Sequence, residues 1–122
     1  MTLAVALGGA LGTLVRYQLS TLLVAFDPWD LWLANFVGTL LLASSWHHRE
    51  GWHPAAWQAF GVGFCGGLTS VSTLVGHLHG LIATQAHLHA ALYLSATLVS
   101  GFLGAAWGLA LSHAAQQRKA AR

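Results

Sequence analysis

Apolar residues fall along the chain in four long stretches divided by short polar breaks. The first stretch, 2–26, is interrupted only by Arg16, and Asp27, Pro28 and Asp30 then make a polar turn. Proline ends the preceding helix there. The second stretch is 31–46, followed by the most polar loop, with His47, His48, Arg49, Glu50, Gly51, His53 and Pro54. The third, 55–84, holds the run Gly66-Gly67-Leu68-Thr69-Ser70, and Gln85, His87 and His89 mark the turn after it. The fourth, 90–112, precedes a tail ending in Arg118, Lys119 and Arg122. A membrane-spanning helix needs about 20 apolar residues, so the pattern predicts a single four-helix membrane domain over residues 1–122. Helices are expected throughout, because open strands leave backbone groups unsatisfied in lipid. The first stretch lacks a basic segment before it and a cleavage site after it, so a retained span is expected rather than a signal peptide.

Composition sharpens this picture. Hydrophobic residues make up 56% and charged residues 7% of the 122, and mean hydropathy is +0.61. A soluble domain carries about 25% charged residues, so an ordinary soluble globule is excluded. A nucleic-acid binder is excluded too, since the basic balance comes from 5 Lys and Arg against 3 Asp and Glu and forms no patch. Cys65 is the lone cysteine and makes no disulfide within the chain. With four spans, both termini and the central loop share a side, which carries Arg49, Arg118, Lys119 and Arg122; the other two loops carry no Lys or Arg. The positive-inside rule therefore puts both termini of this multi-pass protein in the cytoplasm.

Four G-x-x-x-G pairs, Gly8/Gly12, Gly63/Gly67, Gly76/Gly80 and Gly104/Gly108, predict helices in close contact. A bundle this small and dense calls for a partner chain. Polar groups inside a membrane are costly and therefore informative. Arg16 either snorkels to an interface or braces other helices. Asn35, with two N–H donors and one acceptor, serves equally well as interhelical glue or as a functional donor. The third stretch differs in kind: Gly66 and Gly67 precede Thr69, Ser70, Ser72 and Thr73, a segment expected to unwind, freeing carbonyls for a cation and hydroxyls for an anion. No Asp or Glu falls inside a predicted span, which argues against a proton-coupled exporter of cations. His77 and His79, two apart on a helix, point in nearly opposite directions and make poor co-ligands. No nucleophile triad or phosphate-cradling loop is present in the sequence, and no enzyme chemistry is expected.

The motifs resemble those of the Fluc (CrcB) fluoride-channel family. Gly8-Gly9-x-x-Gly12-x-x-x-Arg16-Tyr17 is similar to its first-helix signature, Ala34-Asn35-x-x-Gly38 to its second-helix pore motif, and Gly63 through Ser70 to its third-helix break. The resemblance implies an all-α antiparallel dual-topology dimer with the third helix broken near its middle, narrow pores and a central structural sodium ion. It implies that the backbone carbonyls of Gly66 and Thr69 bind that sodium, that Asn35, Ser72 and Thr73 line the anion pore, and that Arg16 is a structural brace. Neutral donors suit the task, because a conducting site must replace water around fluoride without holding the ion. The family also presents phenylalanine ring edges, which carry partial positive charge.

Here the run reads Thr69-Ser70-Val71-Ser72-Thr73-Leu74, so Val71 and Leu74 stand at the pore positions of both phenylalanines. His77 replaces a common glutamate and Leu31 a common threonine, while Tyr93 and Thr97 resemble polar pore positions of the fourth helix. Some members of the family work as paired, diverged subunits, and this chain is similar to one such half. The expectation is a fluoride channel subunit giving passive export in contact with membrane lipid. The alternatives are a transporter of the small multidrug-resistance type and a non-conducting accessory subunit.

Overall fold

The computed structural model describes residues 1–120, without the side chains of His47, Lys119 and Ala120. Lys119 as a side chain, and Ala121 and Arg122 altogether, lie outside the described residues, so the tail's part in the orientation argument rests on sequence. Helix α1 is Thr2–Leu22, followed by a 3-10 turn, Val24–Phe26; α2 is Trp29–Ser45, followed by a second, Trp46–Gly51. Helix α3 begins at Pro54–Trp57, with Pro54 in the first turn, where its missing N–H leaves no bond unmade. It continues as a π-helical segment, Gln58–Cys65, and a last α-turn, Gly66–Leu68. Helix α4 is Val71–Ala83 and α5 is His87–Ala120. No strand occurs among the described residues.

Among the described residues two stretches are long and apolar enough to cross a bilayer unaided, Pro54–Ala83 and His87–Arg118. Helix α1 carries Arg16, Tyr17 and Gln18 within its 21 residues and α2 has only 17. Helix α5 runs on past the predicted end at 112, because Ala114, Ala115, Gln116 and Gln117 are compatible with a helix. Its 34 residues amount to about 51 Å, well beyond the hydrocarbon thickness of about 30 Å.

Packing follows the small residues. A Cβ on Gly8 or Gly12 would run into the backbone of Ala59 or Phe64, and one on Gly63 would lie 2.6 Å from the Val5 carbonyl. Thus α1 and α3 touch backbone to backbone, side by side in the same direction. Helices α2 and α5 likewise run together, with Gly104 against Phe36 and Gly108 against Leu40 and Ala43. The fourth pair behaves differently: nothing lies within 4 Å of a Cβ on Gly76 or Gly80. That face of α4 has no neighbour among the described residues.

Aromatic residues gather at two levels. Trp29 meets Trp32 and Tyr93 edge-on, and Trp57 meets Trp46 and Trp52 likewise. The length of α2, 17 residues, separates these levels by about 25 Å, a spacing that suits the two membrane interfaces. Large side chains such as Leu7, Leu11, Leu92, Phe102 and Trp107 stand exposed, while the buried cluster is small: Leu31, Leu74 and Tyr93. An apolar surface of that extent belongs against lipid or another chain. The molecule is an all-α membrane protein.

Candidate functional site: the break between α3 and α4

The helix stops at Leu68 because the next two residues are extended, Thr69 at φ −84°, ψ 151° and Ser70 at φ −152°, ψ 116°. The interruption therefore falls on Thr69 and Ser70, while Gly66 and Gly67 remain helical. Gly67 is needed elsewhere: a Cβ on it would run into the Gly9 backbone, whereas a Cβ on Gly66 would meet nothing within 4 Å. Side chains tie down both sides of the break. The Ser70 N–H donates to Asn35 Oδ1 at 2.8 Å. The Ser70 hydroxyl oxygen accepts from the Thr73 N–H at 3.2 Å, capping α4. Arg16 Nε donates to the Gly67 carbonyl at 3.3 Å and its Nη1 to Thr73 Oγ1 at 3.4 Å. One guanidinium thus spans from the last turn of α3 to the first turn of α4. Thr69 Oγ1 donates to the Cys65 carbonyl at 3.0 Å.

With its oxygen committed to Ser70, Asn35 keeps its amide N–H donors for another acceptor. Ser70 Oγ lies 2.8 Å from Thr73 Oγ1 and 3.2 Å from Ser72 Oγ, so the three hydroxyls form one cluster beside that amide. Ser72 and Val71 are exposed, Val71 by 74%. Leu74 points the other way, into the buried cluster with Leu31 and Tyr93. The Tyr93 hydroxyl donates to the Pro28 carbonyl at 2.8 Å. Thr97 donates to the Tyr93 carbonyl within α5. The structure thus brings Arg16, Asn35, Ser70, Ser72 and Thr73 together and sets Leu74 and Tyr93 apart from them.

Two cavities flank the break. One, of about 410 Å³, is bounded by Gly38, Thr39, Cys65, Gly66 and Thr69. The other, of about 240 Å³, is bounded by Arg16, Thr73, Asp27, Asp30 and His77. Asp30 corrects a sequence expectation. The sequence pattern puts it in the turn outside the spans, yet it is the second residue of α2 and is only 7% exposed. The first turn of a helix favours an acidic residue, which is the signal that could have moved the boundary. Ser70 as the hub was equally hidden, since its contact with Asn35 joins residues 35 apart in sequence. Among the described residues no group of three or more His, Cys, Asp or Glu side chains could hold a metal ion.

Residues 3–109 match the family model described as CrcB-like protein, Camphor Resistance (CrcB). A Bacillus licheniformis protein named fluoride-specific ion channel FluC 2 is 36% identical, the match covering 95% of this chain and 92% of the relative. The Methanopyrus kandleri fluoride-specific ion channel FluC is 37% identical over 90% and 87%. A Bacillus subtilis FluC 2 is 36% identical over 95% and 92%. Matches that run nearly the full length of both partners include every residue of the break. The chain belongs to the CrcB-like family.

Proposed function

We propose that this chain is a fluoride channel subunit that lets fluoride leave the cytoplasm passively. The observation that carries the reading is the cluster at the break: an Asn35 amide with spare donors beside the Ser70, Ser72 and Thr73 hydroxyls. Neutral donors fixed by their other bonds can replace water around a small anion without trapping it. The names of the relatives point to the same ion. Four traverses, 2–26, 31–46, 55–84 and 90–112, with both termini in the cytoplasm of a bacterial inner membrane, complete the arrangement.

An antiparallel dimer fits the open faces. Gly76, Gly80 and Gly66 have no neighbour within 4 Å of a Cβ, and Val71 is exposed. Gly66 and Thr69 suit a sodium ion shared by two copies: the break removes the helical partners of nearby carbonyls, and the Gly66 carbonyl is met by a long 3.4 Å contact from Thr69 Oγ1. Carbonyl oxygens are hard donors appropriate to such a cation. The ion's charge would hold the carbonyl ends of two broken helices together.

The partner in this reading is a diverged paired subunit. Arg49 and the basic tail set one orientation, and Val71 and Leu74 offer no ring edge to an anion; two Bacillus relatives bear the number 2 in their names. The test is fluoride efflux from liposomes holding this chain alone, then with a candidate paired subunit. Efflux only from the pair is expected. Selective efflux from the chain alone would refute the pairing, and efflux from neither would leave it as a non-conducting accessory subunit.

A further inference from the structure

The 240 Å³ cavity beside the break contains carboxylates that the channel reading does not use. Asp27 and Asp30 face it beside Arg16, with His77 on its α4 wall. His77 Nε2 lies 3.5 Å from Asp27 Oδ1, and the His77 ring is packed 6.3 Å from that of Tyr93 on α5. Arg16 spends its guanidinium on Gly67 and Thr73, and no ion pair among the described residues joins it to either carboxylate. Two polar atoms of its lining residues, Asp30 Oδ1 and His77 Nδ1, are buried with no hydrogen-bond partner among the described residues. Such atoms are rare and costly. Formally the cavity carries two negative charges and one positive while His77 is neutral, and it is balanced once His77 is protonated.

We propose that His77 is a proton-operated selectivity element at this mouth of the pore, admitting a hydrated monovalent anion when protonated and opposing it when neutral. The inference rests on the fluoride-channel reading. Imidazole is the side chain that changes charge between about pH 5 and 8. Protonation does two things at once. It removes the excess negative charge that repels an anion from the space leading to Thr73. It also makes Nδ1 an N–H donor where the neutral ring with a proton on Nε2 offers only a lone pair. The cavity has room for water, so the ion passes through it partly hydrated on leaving the break.

The test measures fluoride efflux in the assembled channel at about pH 6 and about pH 8, with leak from protein-free vesicles subtracted because hydrogen fluoride crosses bilayers. Wild type is expected to pass about threefold to tenfold more fluoride at the acid pH, the factor for one unit charge about 6 Å from the ion in a wet cavity. His77→Gln should conduct with a flat pH response. Asp27→Asn, a change at a side chain 63% exposed and so safe for folding, should raise flux at the alkaline pH towards the acid level. Equal pH ratios in wild type and His77→Gln, with flux intact, would overturn the proposal and leave the channel reading standing. A wild-type response that Asp27→Asn does not alter would also overturn it. Absence of fluoride flux at both pH values in all three proteins would overturn the channel reading and this inference with it.

Discussion

Gly63→Ala separates the close crossing of α1 and α3 from ordinary helix packing. The added Cβ would lie 2.6 Å from the Val5 carbonyl oxygen and 3.0 Å from both Gly8 Cα and Gly9 N. All three neighbours are backbone, so no side-chain rotation relieves the contact and α1 must retreat as a body. Overpacking of that kind costs about 1–3 kcal/mol, set against about 1 kcal/mol gained by replacing a helical glycine with alanine. With only backbone to move, the cost falls at the upper end, and the net destabilisation is about 2 kcal/mol. Gly76→Ala is the matched control: nothing lies within 4 Å of its Cβ, so an isolated subunit should gain up to about 1 kcal/mol. Reversible unfolding by SDS titration, followed by tryptophan fluorescence in detergent micelles, reads both changes on subunits kept dilute. Size exclusion at higher concentration then shows whether Gly76→Ala weakens dimers, as it will if that face meets a second subunit. A Gly63→Ala protein as stable as wild type would refute the backbone contact. So would a reversed order of the two variants.

Asn35→Ala leaves the Ser70 N–H unpaired and should cost about 1–3 kcal/mol of stability, whereas Asn35→Asp keeps the acceptor and loses the amide donors, so it should assemble but fail to pass fluoride in the efflux assay. Unchanged flux in either variant would remove Asn35 from the pore. Thr69→Ser should retain sodium-dependent assembly, while Gly66→Val, whose Cβ meets nothing within 4 Å in its own chain, should leave the subunit folded and disrupt the dimer on size exclusion. Cysteine tags at the two termini should react with an impermeant reagent from one side only, because native Cys65 is 2% exposed and adds no background. Equal labelling from both sides would refute a fixed orientation.

Much was legible in the sequence because membrane chemistry leaves few options. Scarce charge and long apolar stretches dictate helices in lipid, and each G-x-x-x-G spacing puts two small residues on one face. The break is legible too, since hydroxyl residues after two glycines compete with the helix for backbone bonds. Sequence could not say which glycine pairs find a partner inside the chain. That depends on which helices lie side by side, and α4 alone turns its pair outward. Nor could it place the interruption at Thr69 and Ser70 rather than at the glycines, because the choice is made by Asn35 and Arg16, far away in sequence, accepting or donating bonds there. The burial of Asp30 is hidden from the sequence for the same reason. A local pattern of Asp27, Pro28 and Asp30 spells a turn, and only the packing of α2 beside the charged cavity buries the second carboxylate. Periodicity is a property of neighbours along the chain and is read directly. The partners of Asn35, Arg16 and Asp30 are set by how whole helices cross, and only the tertiary structure decides them.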